Sequence, residues 1–589
     1  MSASQTLLLG RHADRVQAGW DQLHSQHWIE RLWEGDASLW SSDAKTQAII
    51  RNRLGWLRIA SVMEQQVEPL RAYAQQVRRV GRTHALLLGM GGSGLFAEVC
   101  RNLFGVTADG ADLLVLDTTD PTAIRSAQAR CPLSRLIVII SSKSGTTTEV
   151  SALSRYFYEA LRAAGATPGE HCIGITDDGT PLAAQAKQLK FSRIFLHGPQ
   201  SGADVGGRFS ALTYFGLVPA ALMGIDVGRL LHSAKEMLAR CGAKAPLREN
   251  PAAHLGAVLG ALAQVGRDKL TFLAASPLAS FGIWVEQLVA ESTGKSGRGI
   301  VPIVGEPLQD VGAYESDRVF VELQLGSQVD SVMERHAAAL AEAGHPVVRM
   351  VWNDTYDVGG EVTRWSLATV IAGGLLGINP FDEPNVEESK DLTKALLEQL
   401  AREGGTPKEE QPTFSHAQVA VYGAPGVGKP LSLNQCLSEF FQRLRPSDYI
   451  ALLSFLSRTA SRDGALQALR GRIASRSGHA TILQFGPRYL HSTGQLYKGG
   501  PDAGVFLLFT ADEHEDLPIP GEPFTFSVLK QAQALGDFQA MQQRGRRILR
   551  MHLRGNVEAA VQKCLSAVDE ITTLRHAGER SGGSTSATL

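Results

Sequence analysis

Six hydroxyls and one ammonium fall within eight residues at Ser141-Ser142-Lys143-Ser144-Gly145-Thr146-Thr147-Thr148. The run lies between an apolar, β-branched stretch, residues 133–140, and a stretch of helical apolar spacing that begins at Val150. A strand, a hydroxyl-rich turn and a helix start in that order bring hydroxyls to the free N–H groups and positive dipole end of a helix, a cradle for a dianion such as phosphate. A second turn, Gly89-Met90-Gly91-Gly92-Ser93-Gly94, follows another apolar strand. Its Gly-x-Gly-x-x-Gly spacing fits a dinucleotide turn as well, with Asp117, 23 residues past Gly94, available as the ribose-binding acid. Gln287 and Glu291 are four apart and share one helix face. Arg208 follows Gly206-Gly207, where the glycines let a guanidinium approach a ligand closely. His491 stands in a polar, glycine-rich turn with Ser492, Thr493, Gln495 and Lys498, and is a candidate acid.

These residues need a scaffold, and the apolar runs supply one. Residues 85–88, 113–116, 136–140, 172–175 and 193–196 read as strands with helical patterns between them, which predicts a parallel sheet covered by helices on both faces. Ligands of such sheets sit at the carboxyl ends of the strands, where Ser93 and the Ser142 turn converge. A second α/β unit follows, with strands at 270–275, 319–323 and 347–351 and a helix over 281–291. A third has strands at 418–422, 449–453, 480–484 and 505–509. The expected organisation is a helical segment over 1–80, α/β units over 81–250 and 251–400, a Gly/Pro-containing linker over 401–414, a third α/β unit over 415–580, and a Gly/Ser/Thr-rich disordered tail over 581–589. In the third unit Arg547, Arg550 and Arg554 read as one solvated helix face. Gly423 to Lys429 approaches a nucleotide-binding loop, but Pro430 replaces the hydroxyl that would hold magnesium. Residues 512–516, Asp-Glu-His-Glu-Asp, read as a solvated acidic loop.

Composition bounds the function. The 589-residue chain is 44% hydrophobic and 20% charged, as soluble globular proteins are, and its formal net charge of −1 gives no long-range attraction to nucleic acid or to an anionic membrane. Its six cysteines are scattered without a Cys-x-x-Cys pair, so neither disulfides nor a zinc site is expected, which fits a reducing cytoplasm. No signal peptide is read at the N-terminus, and the apolar residues 366–378 are too few to span a bilayer and predict a buried helix.

Five stretches together resemble one family. Gly89-Met-Gly-Gly-Ser93, Ser142-Lys-Ser-Gly-Thr-Thr147, Val205-Gly-Gly-Arg-Phe-Ser210, Gln287-Leu-Val-Ala-Glu-Ser-Thr-Gly-Lys295 and Asn379-Pro-Phe-Asp382 through Lys390 occur in the order seen in glucose-6-phosphate isomerases, and the first two resemble sugar isomerase (SIS) domains generally. Residues 32–40 and 490–500 are most similar to the isomerase half of fused transaldolase/glucose-6-phosphate isomerase proteins. No transaldolase half is present, so a separate transaldolase partner and a homo-oligomer both stay open. The resemblance implies two SIS-type doubly wound parallel sheets and a cofactor-free, metal-free aldose–ketose isomerase acting on a small phosphosugar. It implies Glu291 as the base that moves a proton between carbon 1 and carbon 2, Arg208 as the cation on the enediolate, and Lys390 as the C-terminal active-site lysine. Gly92, Ser93, Ser142, Lys143, Ser144, Thr146, Thr147 and Gln287 are then expected to hold the substrate. Two features depart from the family. Glu383 stands where a glutamine is usual, so that either Lys390 pairs with it or phosphate affinity falls. The family's ring-opening histidine is also missing from its interval, where His336 and His345 do not match, which leaves His491 as the candidate. A non-catalytic phosphosugar sensor, which would not need Glu291, and an isomerase that also takes mannose 6-phosphate remain alternatives.

Overall fold

The computed structural model describes residues 4–198, 204–403, 411–424, 426, 430–513 and 515–571. Outside the described residues lie the predicted tail 581–589, linker residues 404–410, Pro425 and residues 427–429 of the glycine loop, and His514 of the acidic loop.

The described residues form three sheets. They open on β1 (Ser4–Leu8). The first sheet follows with β2 (His84–Leu88), β3 (Asp112–Leu116), β4 (Leu136–Ser141), β5 (Cys172–Asp177) and β6 (Arg193–His197), all parallel in the order β3-β2-β4-β5-β6. The central β4 is buried along its whole length, because helices cover both faces of a parallel sheet and leave no wet side to demand alternation. Leu133–Arg135, predicted as part of that strand, form a short 3-10 turn before it. The second sheet contains β7 (Lys269–Ala274), β8 (Val301–Ile303), β9 (Arg318–Leu325) and β10 (Val347–Trp352), parallel in the order β10-β9-β7-β8. β1 closes its edge antiparallel to β10, with Ser4 opposite Val351 and Leu8 opposite Val347. The N-terminal segment is therefore not purely helical: behind this strand come helices Ala13–Ser25, Trp28–Glu34, Ala44–Asn52, Ile59–Glu64 and Val67–Arg79. The first two pack on the buried Pro251–Ala263 and Val358–Leu376 helices, and the last two on Val227–Cys241 and Tyr214–Leu222; between them Trp40 Nε1 donates to the Val370 carbonyl at 2.9 Å. Among the described residues no helix is long and apolar enough to cross a membrane.

The third sheet consists of β11 (Phe414–Ser415), β12 (Val419–Tyr422), β13 (Tyr449–Ser454), β14 (Ala480–Phe485), β15 (Gly504–Ala511) and β16 (Arg547–Leu553), in the order β11-β12-β16-β15-β13-β14. β16 corrects the reading of a solvated arginine helix. Arg547 and Arg550 are 3% exposed and lie in a strand, where a spacing of three puts them on opposite faces. Arg547 holds Asp448 with Nη2 at 2.9 Å, and the Arg550 guanidinium stacks 3.8 Å over the Tyr422 ring. The predicted linker begins inside a helix, Glu387–Glu403.

Three clamps fasten the third sheet to the other two. Arg488 bonds Glu98 and Asp117 at the first sheet, so Asp117 is engaged and does not stand ready for a ribose. Lys530 and Ser457 both bond Asp120. At the second sheet Arg470 donates to the Gly305 carbonyl at 2.8 Å, while Glu306 accepts from the Thr481 N–H at 2.7 Å. The apolar cores are shared as well: Leu517, Ile519, Phe526 and Leu529 join the core under β2 and β4, and Ala290, Val301 and Ile303 join that of the third sheet.

Candidate active site

At the end of β4 the chain turns through Ser142 to Thr147 and enters the Thr148–Ala163 helix. Gly145 sits at φ +68°, and a Cβ there would come within 2.8 Å of the Leu182 nitrogen. Its N–H donates to Ser142 Oγ at 3.1 Å, and the hydroxyls pair, Ser142 with Thr147 and Ser144 with Thr146, both at 2.9 Å. The helix N-terminus receives no side-chain cap from Thr147. The sequence-predicted cradle thus has hydroxyls and a helix dipole together, the combination that favours an anion. Lys143 does not fit that cradle as expected, because Asp177 and Asp204 hold its ammonium at 2.7 and 2.8 Å. Burial disfavours its charge, but bonds to these two carboxylates outweigh burial and raise its pKa.

The glycine turn leads into the Leu95–Phe104 helix and is pressed from two sides. A Cβ on Gly91 would lie 2.5 Å from the His491 carbonyl oxygen, and one on Gly92 would lie 2.0 Å from that of Gly207. Protein backbone fills the approach that a pyrophosphate would need, which is the physical reason the dinucleotide reading fails here. The Ser93 carbonyl accepts from Ser141 Oγ at 2.8 Å and ties this turn to the cradle.

Glu291 lies in the last turn of the Ala279–Thr293 helix, which is buried along most of its length. Its Oε1 is 3.1 Å from Arg208 Nη1, and its Oε2 accepts from Gln287 Nε2 at 3.1 Å. Arg208 is 2% exposed and is fixed on every nitrogen: Nε donates to Ser292 Oγ at 2.9 Å, Nη2 to the carbonyls of Pro380 and Asp382 at 2.8 and 3.0 Å, and Nη1 to Glu383 Oε2 at 3.0 Å. Burial raises the pKa of Glu291, Arg208 opposes it and Glu383 adds to it; the net shift is upward. A buried carboxylate of raised proton affinity beside an immobile cation can accept a proton from carbon and hold the resulting oxyanion.

The third sheet contributes the opposite wall. Arg488–His491 form a short 3-10 turn, and Gln287 Nε2 donates to the His491 carbonyl at 3.0 Å as well as to Glu291. His491 Nε2 lies 2.8 Å from Glu149 Oε1, which also accepts from Gln533 Nε2 at 2.7 Å. Glu149 is 4% exposed; burial works against its charge, but His491 outweighs burial and holds its carboxyl below the ordinary range. An ionised carboxylate only accepts, so Nε2–H of His491 is the donor.

Glu149 and Gln533 were not singled out in the sequence. A Glu in the first turn of a helix looks like ordinary dipole compensation, and no local signal joins it to residues 384 and 342 positions away. Lys390 is half-exposed on the Glu387–Glu403 helix and bonds Glu387 at 2.8 Å; its charge adds to the pull on Glu149. Of the two alternatives for Glu383, pairing with Lys390 is not what forms: its partner is Arg208. His336 and His345 lie against the Tyr314 ring. Among the described residues no group of three or more His, Cys, Asp or Glu could hold a metal ion.

No protein-family model matches the chain. Curated relatives do. A probable glucose-6-phosphate isomerase of Haloarcula marismortui is 30% identical over 346 residues, 53% of this chain and 77% of that protein. Another, of Natronomonas pharaonis, is 31% identical over 351 residues, 53% of this chain and 78% of that one. Among solved structures, a glucose-6-phosphate isomerase of Chlamydia trachomatis superimposes with a TM-score of 0.54 at 17% identity, covering 68% of this chain and 90% of that one, a likeness of fold. With a relative above 30% identity covered over more than three quarters of its length, the chain belongs to the glucose-6-phosphate isomerase family.

Proposed function

We propose that the chain interconverts glucose 6-phosphate and fructose 6-phosphate through an enediolate, the step shared by glycolysis and gluconeogenesis. The observation that carries this reading is that Arg208 pairs with Glu291 while Gln287 Nε2 bonds both Glu291 and the His491 backbone carbonyl, which gathers a base, an oxyanion cation and the residue that carries the candidate acid. The phosphate docks on the hydroxyls of Ser142, Ser144, Thr146 and Thr147, with Gly92 and Ser93 beside them. His491, doubly protonated with Nε2–H kept on Glu149, passes its Nδ1 proton to the ring oxygen as the bond from that oxygen to carbon 1 breaks, and the same nitrogen takes up the proton that the anomeric hydroxyl gives up. Glu291 then takes the proton from carbon 2, and the charge arriving on oxygen 1 is held by Arg208. The hydroxyl proton of oxygen 2 passes to oxygen 1, and Glu291 returns its proton to carbon 1. Each step is reversible, so one carboxyl serves both directions.

The test is a coupled assay of fructose 6-phosphate formation by the purified chain and by Glu291→Gln. The amide keeps the shape and cannot accept the proton, so turnover should fall by roughly two to four decades while phosphosugar binding survives. A Gln variant that turns over like the parent removes Glu291 from the reaction.

A further inference from the structure

Glu383 and Glu291 share a single nitrogen. Arg208 Nη1 is 3.0 Å from Glu383 Oε2 and 3.1 Å from Glu291 Oε1, so the two oxygens stand no more than about 6 Å apart. The guanidinium cannot turn toward one of them, because Ser292, Pro380 and Asp382 fix its other nitrogens. We infer that Glu383 is a positioning residue that sets the working proton affinity of the base by taking half of Arg208's charge. The inference rests on the isomerase reading of Glu291 and adds to it what makes that base strong enough.

A guanidinium at 3.1 Å stabilises the ionised form of Glu291 and, acting alone, makes it a weak base toward a carbon acid. With Glu383 on the same nitrogen the three groups carry one net negative charge, and a proton arriving on Glu291 is welcomed rather than repelled. The other charges facing the trio are Lys295, held on Asp382 at 2.8 Å, and Arg53, held on Asp204 at 3.0 Å. From its own helix Gln287 donates to Glu291, and from the opposite wall the His491 carbonyl accepts from the same Gln287 nitrogen. Two carboxylates in unequal surroundings are driven apart: Glu291 goes up, with burial its largest cause, while for Glu383 burial is outweighed by Arg208 and the carboxyl goes down. Glu383 therefore stays ionised and never competes for the substrate's proton.

The experiment is the pH dependence of kcat/KM for the intact parent, Glu383→Gln and Glu383→Asp. Removing a charge about 6 Å away at an effective dielectric of about 20 corresponds to a shift of up to about two pH units, and the 35% exposure of Glu383 reduces it to about one. The acid limb of Glu383→Gln should therefore move about one unit lower, with turnover on the plateau several-fold reduced. Glu383→Asp, which keeps the charge, should retain the parental limb. An acid limb that Glu383→Gln leaves in place, or that Glu383→Asp moves equally, overturns the inference while leaving the isomerase reading intact. A folded parent chain with no turnover at any pH overturns both, and is told apart by its missing activity.

Discussion

Replacing Glu149 with Gln tests whether charge or shape is needed behind His491. The substitution is isosteric, and the amide oxygen can still accept from both His491 and Gln533, whose nitrogens lie 2.8 and 2.7 Å from Oε1. What disappears is the charge. A hydrogen bond to an ionised partner contributes about 1.5–3 kcal/mol, and a neutral one about 0.5–1.5 kcal/mol. The difference, about 1.4 kcal/mol, corresponds to about tenfold in rate if protonated His491 opens the ring. Two rates should be measured on the same preparation: conversion of the cyclic sugar phosphate in the coupled assay, and wash-in of solvent deuterium on an acyclic phosphosugar analogue that needs no ring opening. The first should drop about tenfold and the second stay within about twofold, because Glu291 and Arg208 are untouched. Equal losses in both would mean that Glu149 shapes the whole cleft, and no loss in either would remove its charge from the mechanism.

Changing Ser142, Ser144 and Thr147 together to Ala removes three hydroxyl donors from the cradle at about 1.5–3 kcal/mol for each charge-assisted bond; calorimetric binding of 6-phosphogluconate should fall by orders of magnitude, and parental affinity would refute the phosphate site. Glu286, buried beside Gln484, has its carboxyl pushed up to about 7 by burial. The unfolded state ionises first as pH rises from about 4.5, so the fold loses stability between there and 7, by at most about 3 kcal/mol. Urea melts of Glu286→Gln should match the parent near pH 4 and exceed it at pH 8; a gap of equal size at both pH values would show that titration is not its origin.

The parallel strands were legible because a sheet covered on both faces needs unbroken apolar runs, and 113–116, 136–140 and 172–175 have nothing else to be. β16 was hidden by Arg547 and Arg550, which imitate a polar helix face although Asp448 neutralises the first and the Tyr422 ring covers the second. β1 was hidden because its partner is remote and no local turn announces the pairing. At the site, motif order pointed to Arg208, Gln287 and Glu291, which the fold does bring together. The glycine spacing by itself could not separate a turn built for a cofactor from one built to let His491 and Gly207 press close, since both need the same missing Cβ. Nor could it give partners: whether Lys143, Glu149 and Glu383 face a substrate or a side chain depends on residues dozens to hundreds of positions away.

β1 precedes its partner β10 by about 340 positions. A ribosome adding about 5–20 residues per second delivers β10 some 20–70 s after β1 has emerged. Throughout that interval Thr6, Leu7 and Leu8 offer unpaired backbone to anything extended nearby, including the same segment of a neighbouring nascent chain. Arg364, fully buried in the helix after β10, donates to Gln5 at 3.2 Å, so docking of the strand also satisfies a cation made later still. Holding factors that shield short apolar strands should therefore raise the yield of native chain most when they act early, before translation has passed residue 352.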